Sequence, residues 1–226
     1  TTSVEKDIFE SIKVDALCNV MLKSACDKTL QSGLGTGRST LQNDCTDILR
    51  AQRSSNTMGM GYGNMNTQQA QPGNALPESM ALLPLNTMAM IKGLALRGGN
   101  SIRSDERAYI FSLVSSMPIP QSIPFIYPRM YALHNMAESH GRLVPSGSEI
   151  PVGALKCYGG DVVEMPEQMG LTAERLSSDG AFLLDNGVDI FMWFGRAVSP
   201  KLISSLFGLD TLDGIDCSQL RLEQEG

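Results

Sequence analysis

The chain has 226 residues, enough for one large or two small domains, and its 42% hydrophobic and 19% charged content suits a folded, soluble protein. A net charge of −6 and a pI near 4.9 argue against nucleic acid as the main partner. No apolar run reaches the roughly 18 residues that a membrane-spanning helix needs.

In chain order, residues 4–32 predict one helix of about 40 Å. Val4, Ile8, Ile12, Ala16 and Val20 recur at helical spacing, and Phe9, Leu17, Met21 and Leu22 widen the stripe, which predicts more than one packing neighbour. Gly33-Leu-Gly-Thr-Gly-Arg-Ser-Thr40 resembles a phosphate-binding loop in its glycines only. Arg38 stands where that loop needs Lys, and a helix precedes it instead of a strand, so the segment reads as a helix end and an inter-helix turn. A second helix is predicted over about 39–53, with Leu41, Cys45, Ile48 and Leu49 as its apolar stripe. Residues 54–79 are polar and Gly-rich and predict a flexible loop. A third helix follows over 84–97 with Gly93 inside it, and a fourth over 104–117, N-capped by Ser104 and burying Ala108, Phe111 and Val114. Residues 1–117 thus form an all-α unit.

Four prolines in residues 118–128 predict an extended, semi-rigid crossing. Beyond it, Arg129-Met-Tyr-Ala-Leu-His134 alternates as a strand, a second strand is predicted over 150–155, Thr172 N-caps a short helix over 173–177, and Pro200 opens a helix ending at Gly208. The strongest local signal is Ala181–Gly195, where Asp185-Asn186-Gly187 separates two apolar runs. It predicts a hairpin with a two-residue type I′ turn, strands 181–185 and 189–194, central in its sheet and covered on both sides, with the single Trp, Trp193, in the core. Residues 129–226 are therefore α+β, with a small sheet and short helices.

No catalytic constellation emerges. His134 and His140 are the only histidines, no nucleophile–base set or G-x-S-x-G motif is present, and His134 reads as a structural residue at a strand end. Glu164 and Glu167 form a loop pair, Gly159-Gly160-Asp161 lacks the alternating oxygen ligands of a calcium loop, and the turn alone explains Asp185 without calcium. Catalytic, cofactor and metal sites are accordingly expected to be absent. The five cysteines (18, 26, 45, 157, 217) include no C-x-x-C pair and no zinc spacing. Cys18 and Cys26 lie about 12 Å apart along a helix, too far for a disulfide, so free thiols buried in a reducing compartment are expected. The chain opens at Thr1 without an initiator Met or signal sequence and ends at Gln224-Glu225-Gly226, and is read as a fragment.

Three segments carry a family resemblance. Pro128-Arg-Met-Tyr-Ala-Leu-His-Asn-Met136 and Leu176–Gly195 resemble the gelsolin-like domain of the COPII coat cargo-adaptor family (Sec twenty-four), and Ser104-Asp-Glu-Arg-Ala108 resembles that family's Ser-Asp-x-Arg helix. The order also fits: a helical domain (1–117), a Pro-rich crossing (118–128), then a gelsolin-like domain (129–226) that stops before completion. The resemblance implies a non-enzymatic coat component that selects membrane cargo for endoplasmic-reticulum-to-Golgi transport. It implies partners in the COPII coat subunit and cytosolic cargo tails, no nucleic acid, and a peripheral place on the cytosolic face of the endoplasmic reticulum and COPII vesicles. The family's structural zinc site, trunk and β-barrel would lie outside this fragment. Tyr131, Leu133, His134, Asp185, Gly187, Trp193 and Gly195 are its fold signature, not a site. The alternative is a calcium-regulated actin binder of the gelsolin/villin type.

Overall fold

A computed structural model of the chain describes residues 5–58, 76–99, 102–157 and 159–223. These residues divide into two compact units, Thr1–Tyr127 and Pro128–Gly226.

The first unit is all-helical: α1 (Glu5–Ser11), α2 (Val14–Ser32), α3 (Leu34–Met58), α4 (Leu83–Lys92), α5 (Ser104–Ser116) and α6 (Ile119–Ile126). Helix α2 is its axis and touches α3, α4, α5 and α6. Its buried face is Cys18, Met21, Leu22, Ala25 and Cys26, against Leu41 of α3, Met90 of α4, Phe111 of α5 and Ile126 of α6. Burial of each large apolar side chain contributes about 1.5–3 kcal/mol. The single helix expected over 4–32 is broken at Ile12–Lys13, where Lys13 is extended (φ −92°, ψ 100°). The break resets the helical phase, so Ile8 and Val20, expected on one buried stripe, are exposed. Ser79 explains why α1 stays docked after the break, since its hydroxyl donates to the Phe9 carbonyl (2.7 Å).

Further expectations for this unit are corrected. The inter-helix turn is Gly33 alone, with φ 89°, and α3 begins at Leu34 and swallows Gly35, Gly37 and residues 54–58 of the expected loop, the rest of which up to 75 lies outside the described residues. The third helix stops at Lys92 because Gly93 turns extended (ψ 168°) and caps it, and on α5 the expected Phe111 and Val114 are buried together with Ile110, while Ala108 is exposed. The Pro-rich crossing is helix α6, part of the first unit. Pro120 sits at the second helical position, where no N–H is needed, so only Pro124 forfeits an internal bond.

The second unit has a three-stranded antiparallel sheet in the order β1 (Arg129–Ala132), β4 (Ala181–Asp185), β5 (Ile190–Phe194), and a separate hairpin, β2 (Leu155–Lys156) with β3 (Val162–Val163). The strand expected over 150–155 is therefore displaced to 155–156, and the helix at 173–177 shortens to a 3₁₀ turn, Ala173–Arg175, capped by Thr172. Helix α7 (Pro200–Phe207) packs on one sheet face through Phe207 against Phe194, ring centroids 5.6 Å apart. The hairpin closes through four residues, 186–189, because Asp185 pairs with Ile190. Asn186 Oδ1 accepts from the N–H groups of Val188 (2.9 Å) and Asp189 (2.7 Å), which builds the wider loop in place of a two-residue turn.

Gly35 and Gly37 sit one turn-fraction apart with opposite surroundings. A Cβ on Gly35 would meet nothing, whereas one on Gly37 would overlap Thr29 Oγ1 and lie 2.6 Å from the Ala25 carbonyl. Gly35→Ala is expected to stabilise the chain by about 0.5–1 kcal/mol, and Gly37→Ala to cost about 1–3 kcal/mol, read as urea midpoints.

Candidate interaction surface

Among the described residues no three His, Cys, Asp or Glu side chains come together to hold a metal ion. What the fold presents is surface, and the predicted signature residues shape one part of it. Cross-strand pairing aligns Phe182 with Trp193 and with Ala132 on one sheet face, and Tyr131, Leu183 and Met192 on the other. Phe182 is buried and central: its ring stands edge-on to His134 (5.1 Å, 70°) and tilted against Trp193 (5.7 Å, 47°). Tyr131 is buried, Leu133 and His134 are half-buried, and burial pushes the Tyr131 phenol above its usual range, with Asp185 adding to the rise and Arg129 opposing it.

Asp185 has two partners. Its Oδ1 accepts from the Gly187 N–H at 2.8 Å, fixing Gly187 at φ 80°, and its Oδ2 lies 3.9 Å from Arg129 across the sheet. Gly195 is buried where a Cβ would overlap the Ser178 carbonyl, so the backbone of β5's exit lies directly on the 177–178 turn. That contact is locked by Gly195 N–H to Gly180 (2.8 Å) and Ala197 N–H to Ser178 (2.8 Å). Asp179, on the same turn, is held below the usual carboxyl range chiefly by the Ser177 hydroxyl and then by its own backbone N–H.

Trp193 does not occupy the core. It is 41% exposed, with Phe191 at 52% and Ile190 at 68%, because β5 is the edge strand and β4 the central one. The expectation of a hairpin covered on both sides is therefore corrected. Strand β5 carries no charge or Pro along Ile190-Phe-Met-Trp-Phe194, the features that usually protect an edge.

The first unit offers a groove between α2 and α5, about 370 Å³, lined by Lys23, Cys26, Leu30, Phe111 and Ser112 among others. Arg38 and Arg107 complete the unit's polar scaffold. Arg38 donates to the Ile91 (3.0 Å) and Leu96 (2.7 Å) carbonyls, and Arg107 to those of Ala95 (2.7 Å) and Arg97 (3.1 Å), so two guanidinium groups satisfy one carbonyl in the last turn of α4 and three in the 95–97 segment that follows it. Sequence pattern singled out Arg38 only as a failed phosphate-loop residue, and its spacing held no signal for this long-range role. Asn19, buried on α2, likewise donates to the Met117 carbonyl (3.2 Å) at the end of α5. The five thiols are free, but only Cys18, Cys26 and Cys45 are buried, while Cys157 is half-buried and Cys217 exposed.

Comparison with known proteins now separates the candidate families. The Sec23/Sec24 helical domain family matches residues 13–124, and the gelsolin repeat family matches residues 162–225. The chain is 32% identical over 225 residues to the protein transport protein SEC24 of Coccidioides immitis, covering 100% of this chain and 21% of that protein. It belongs to the Sec24 family. The protein transport protein sec24 of Aspergillus niger is 31% identical over 225 residues, covering 100% of this chain and 22% of that protein. The crystal structure of the human COPII-coat protein Sec24c matches with a TM-score of 0.67 at 27% identity, over 95% of this chain and 24% of that one. The chain thus spans about a fifth of the length of the curated Sec24 relatives it matches. A helical domain followed by a small antiparallel gelsolin-like domain is the Sec24 arrangement, and a gelsolin repeat standing behind a Sec23/Sec24 helical domain does not favour the gelsolin/villin alternative.

Two predictions follow from burial. Phe182→Ala should cost about 3–5 kcal/mol and Trp193→Ala only about 1–2 kcal/mol, a ranking that equilibrium denaturation of the two variants checks. Burial pushes the Cys26 thiol up to about 12 and, despite the Asn86 amide donating to its sulfur, the Cys18 thiol up to about 11, against an ordinary 9.0. Above pH 9 the unfolded chain gives up these protons before the folded one, so stability is complete below that pH and falls as pH rises towards 11–12. Cys26→Ala and Cys18→Ala variants should show a shallower alkaline decline, measured by denaturant midpoints at pH 8 and pH 10.5.

Proposed function

We propose that this chain is the helical and gelsolin-like portion of a COPII coat subunit of the cargo-selecting type, a binding protein and not an enzyme. The observation that carries this reading is the unbroken similarity to Sec24 protein transport proteins along 100% of the chain, in the order helical domain, then gelsolin repeat. Likeness to the human COPII-coat protein Sec24c supports it from the side of structure. The physical character of the surface agrees: exposed aromatic edges and an inter-helix groove without a reactive constellation suit protein contacts.

In this reading the whole protein acts at the cytosolic face of the endoplasmic reticulum and on COPII vesicles, pairs with the GTPase-activating coat subunit, and reads cytosolic tails of membrane cargo. No helix among the described residues is long and apolar enough to cross a membrane, which is compatible with a peripheral place. The family's structural zinc belongs to a part of the protein outside these residues.

The test is a pulldown from purified components, using the whole protein and this chain separately against the coat partner and against cytosolic tails of transport-machinery membrane proteins. The whole protein is expected to retain the coat partner, and a whole protein that retains neither partner nor any tail would overturn the reading. A calcium titration followed by thermal shift tests the actin-type alternative in parallel: the Sec24 reading expects no change, and a rise of several degrees would contradict it.

A further inference from the structure

Where the chain leaves β1, the hydrogen-bond ladder to β4 ends in a side chain. Extending the β1–β4 register by one residue sets Leu133 opposite Ala181, and the Leu133 N–H donates to the Ala181 carbonyl at 2.8 Å. A closely bonded antiparallel pair exchanges two such bonds, so the Leu133 carbonyl should receive the Ala181 N–H. That N–H instead meets Nδ1 of His134 at 3.1 Å.

Strand β5 offers it nothing. Gly195 N–H donates to the Gly180 carbonyl, which makes Ala181–Phe194 a non-bonded pair and turns the Ala181 N–H towards β1. Nδ1 also lies 3.1 Å from the Ala181 carbonyl, yet one nitrogen cannot accept from the N–H and donate to the carbonyl in the same protonation state. The choice between the two is unequal. The carbonyl already accepts from Leu133, whereas the N–H belongs to a residue with 0% exposure and would be orphaned without the imidazole. The ring is held in place edge-on to the buried Phe182.

We propose that His134 is a positioning residue that closes the β1–β4 ladder as a neutral imidazole protonated on Nε2, its bare Nδ1 standing in for the Leu133 carbonyl. The chain can then turn out of the sheet at Leu133 without leaving a buried donor unmet. A proton on Nδ1 sets donor against donor and undoes the closure.

Long-range ¹H–¹⁵N spectra of the labelled chain at about pH 7.5 read the tautomer directly. Only two histidines are present, and the spectrum of His134→Asn identifies the signals of His140. His134 is expected to show an unprotonated Nδ1 and a protonated Nε2. A protonated Nδ1 overturns the proposal. Amide exchange at Ala181 supplies the second readout. His134→Leu, which has no acceptor, should speed exchange at least about ten-fold, while His134→Asn, whose Oδ1 reaches a similar position, should stay within about three-fold of the parent. Equal protection in the Leu and Asn variants also overturns it. If His134→Leu fails to fold, the tautomer in the parent protein decides the question.

Discussion

The helical unit depends on how closely α3 approaches α2. At Gly37 the two backbones come near enough that the Thr29 hydroxyl occupies the space of a missing Cβ. That hydroxyl is not idle, since it donates to the Ala25 carbonyl at 2.8 Å and so fills the gap without an unmet polar group. The approach sets where Arg38 emerges, one residue further along α3, and from there its guanidinium reaches the carbonyl end of α4. Helix α5 supplies Arg107 to the Ala95 and Arg97 carbonyls just beyond it. Three helices are thus fixed around α2 by one absent side chain and two cations placed on carbonyls at and just beyond the end of α4.

The gelsolin-like unit rests on different physics. Its sheet is too small to bury both faces along its whole width, and the buried portion lies over β1 and β4, around Phe182. The β1 side is finished by specific contacts: the Arg129–Asp185 pair, Met169 N–H donating to Met130 (2.7 Å), and the His134 imidazole at Ala181. The β5 side is finished only at its exit, where Gly195 lies on the 177–178 turn. This asymmetry puts the aromatic residues Phe191 and Trp193 at the surface while Phe182, their neighbour, is enclosed. Exposed aromatic groups of this kind suit contacts with other proteins.

Much of this was legible in the chain. The apolar stripe of α3, the Asp-Asn-Gly hairpin, the Pro-opened α7 and the division near residue 128 all follow from local pattern, because periodicity and turn chemistry act over a few residues. The weight of Asp185, Gly187 and Gly195 was legible for the same reason: each is required by backbone geometry within or beside one turn. The misreadings share a cause as well. Gly35 and Gly37 suggested a loop, and Pro120 and Pro124 an extended crossing, yet both segments are helical because packing against α2 outweighs a per-residue penalty of about 1 kcal/mol for Gly, and because Pro120 falls where no N–H is needed.

What the sequence determined by itself was the kind and order of the two units, a helical one followed by a small antiparallel one, and through them the family. What only the tertiary structure decided was which side of each element is covered. Trp193 looked like core because its strand is apolar on both faces, and apolarity cannot say whether a strand is central or at an edge. Arg38, Arg107 and His134 acquired their roles only when chain segments 10 to 58 residues away brought backbone groups to them. Hydrogen bonds of that range leave no periodic trace in a sequence, because their geometry exists only after the chain has folded.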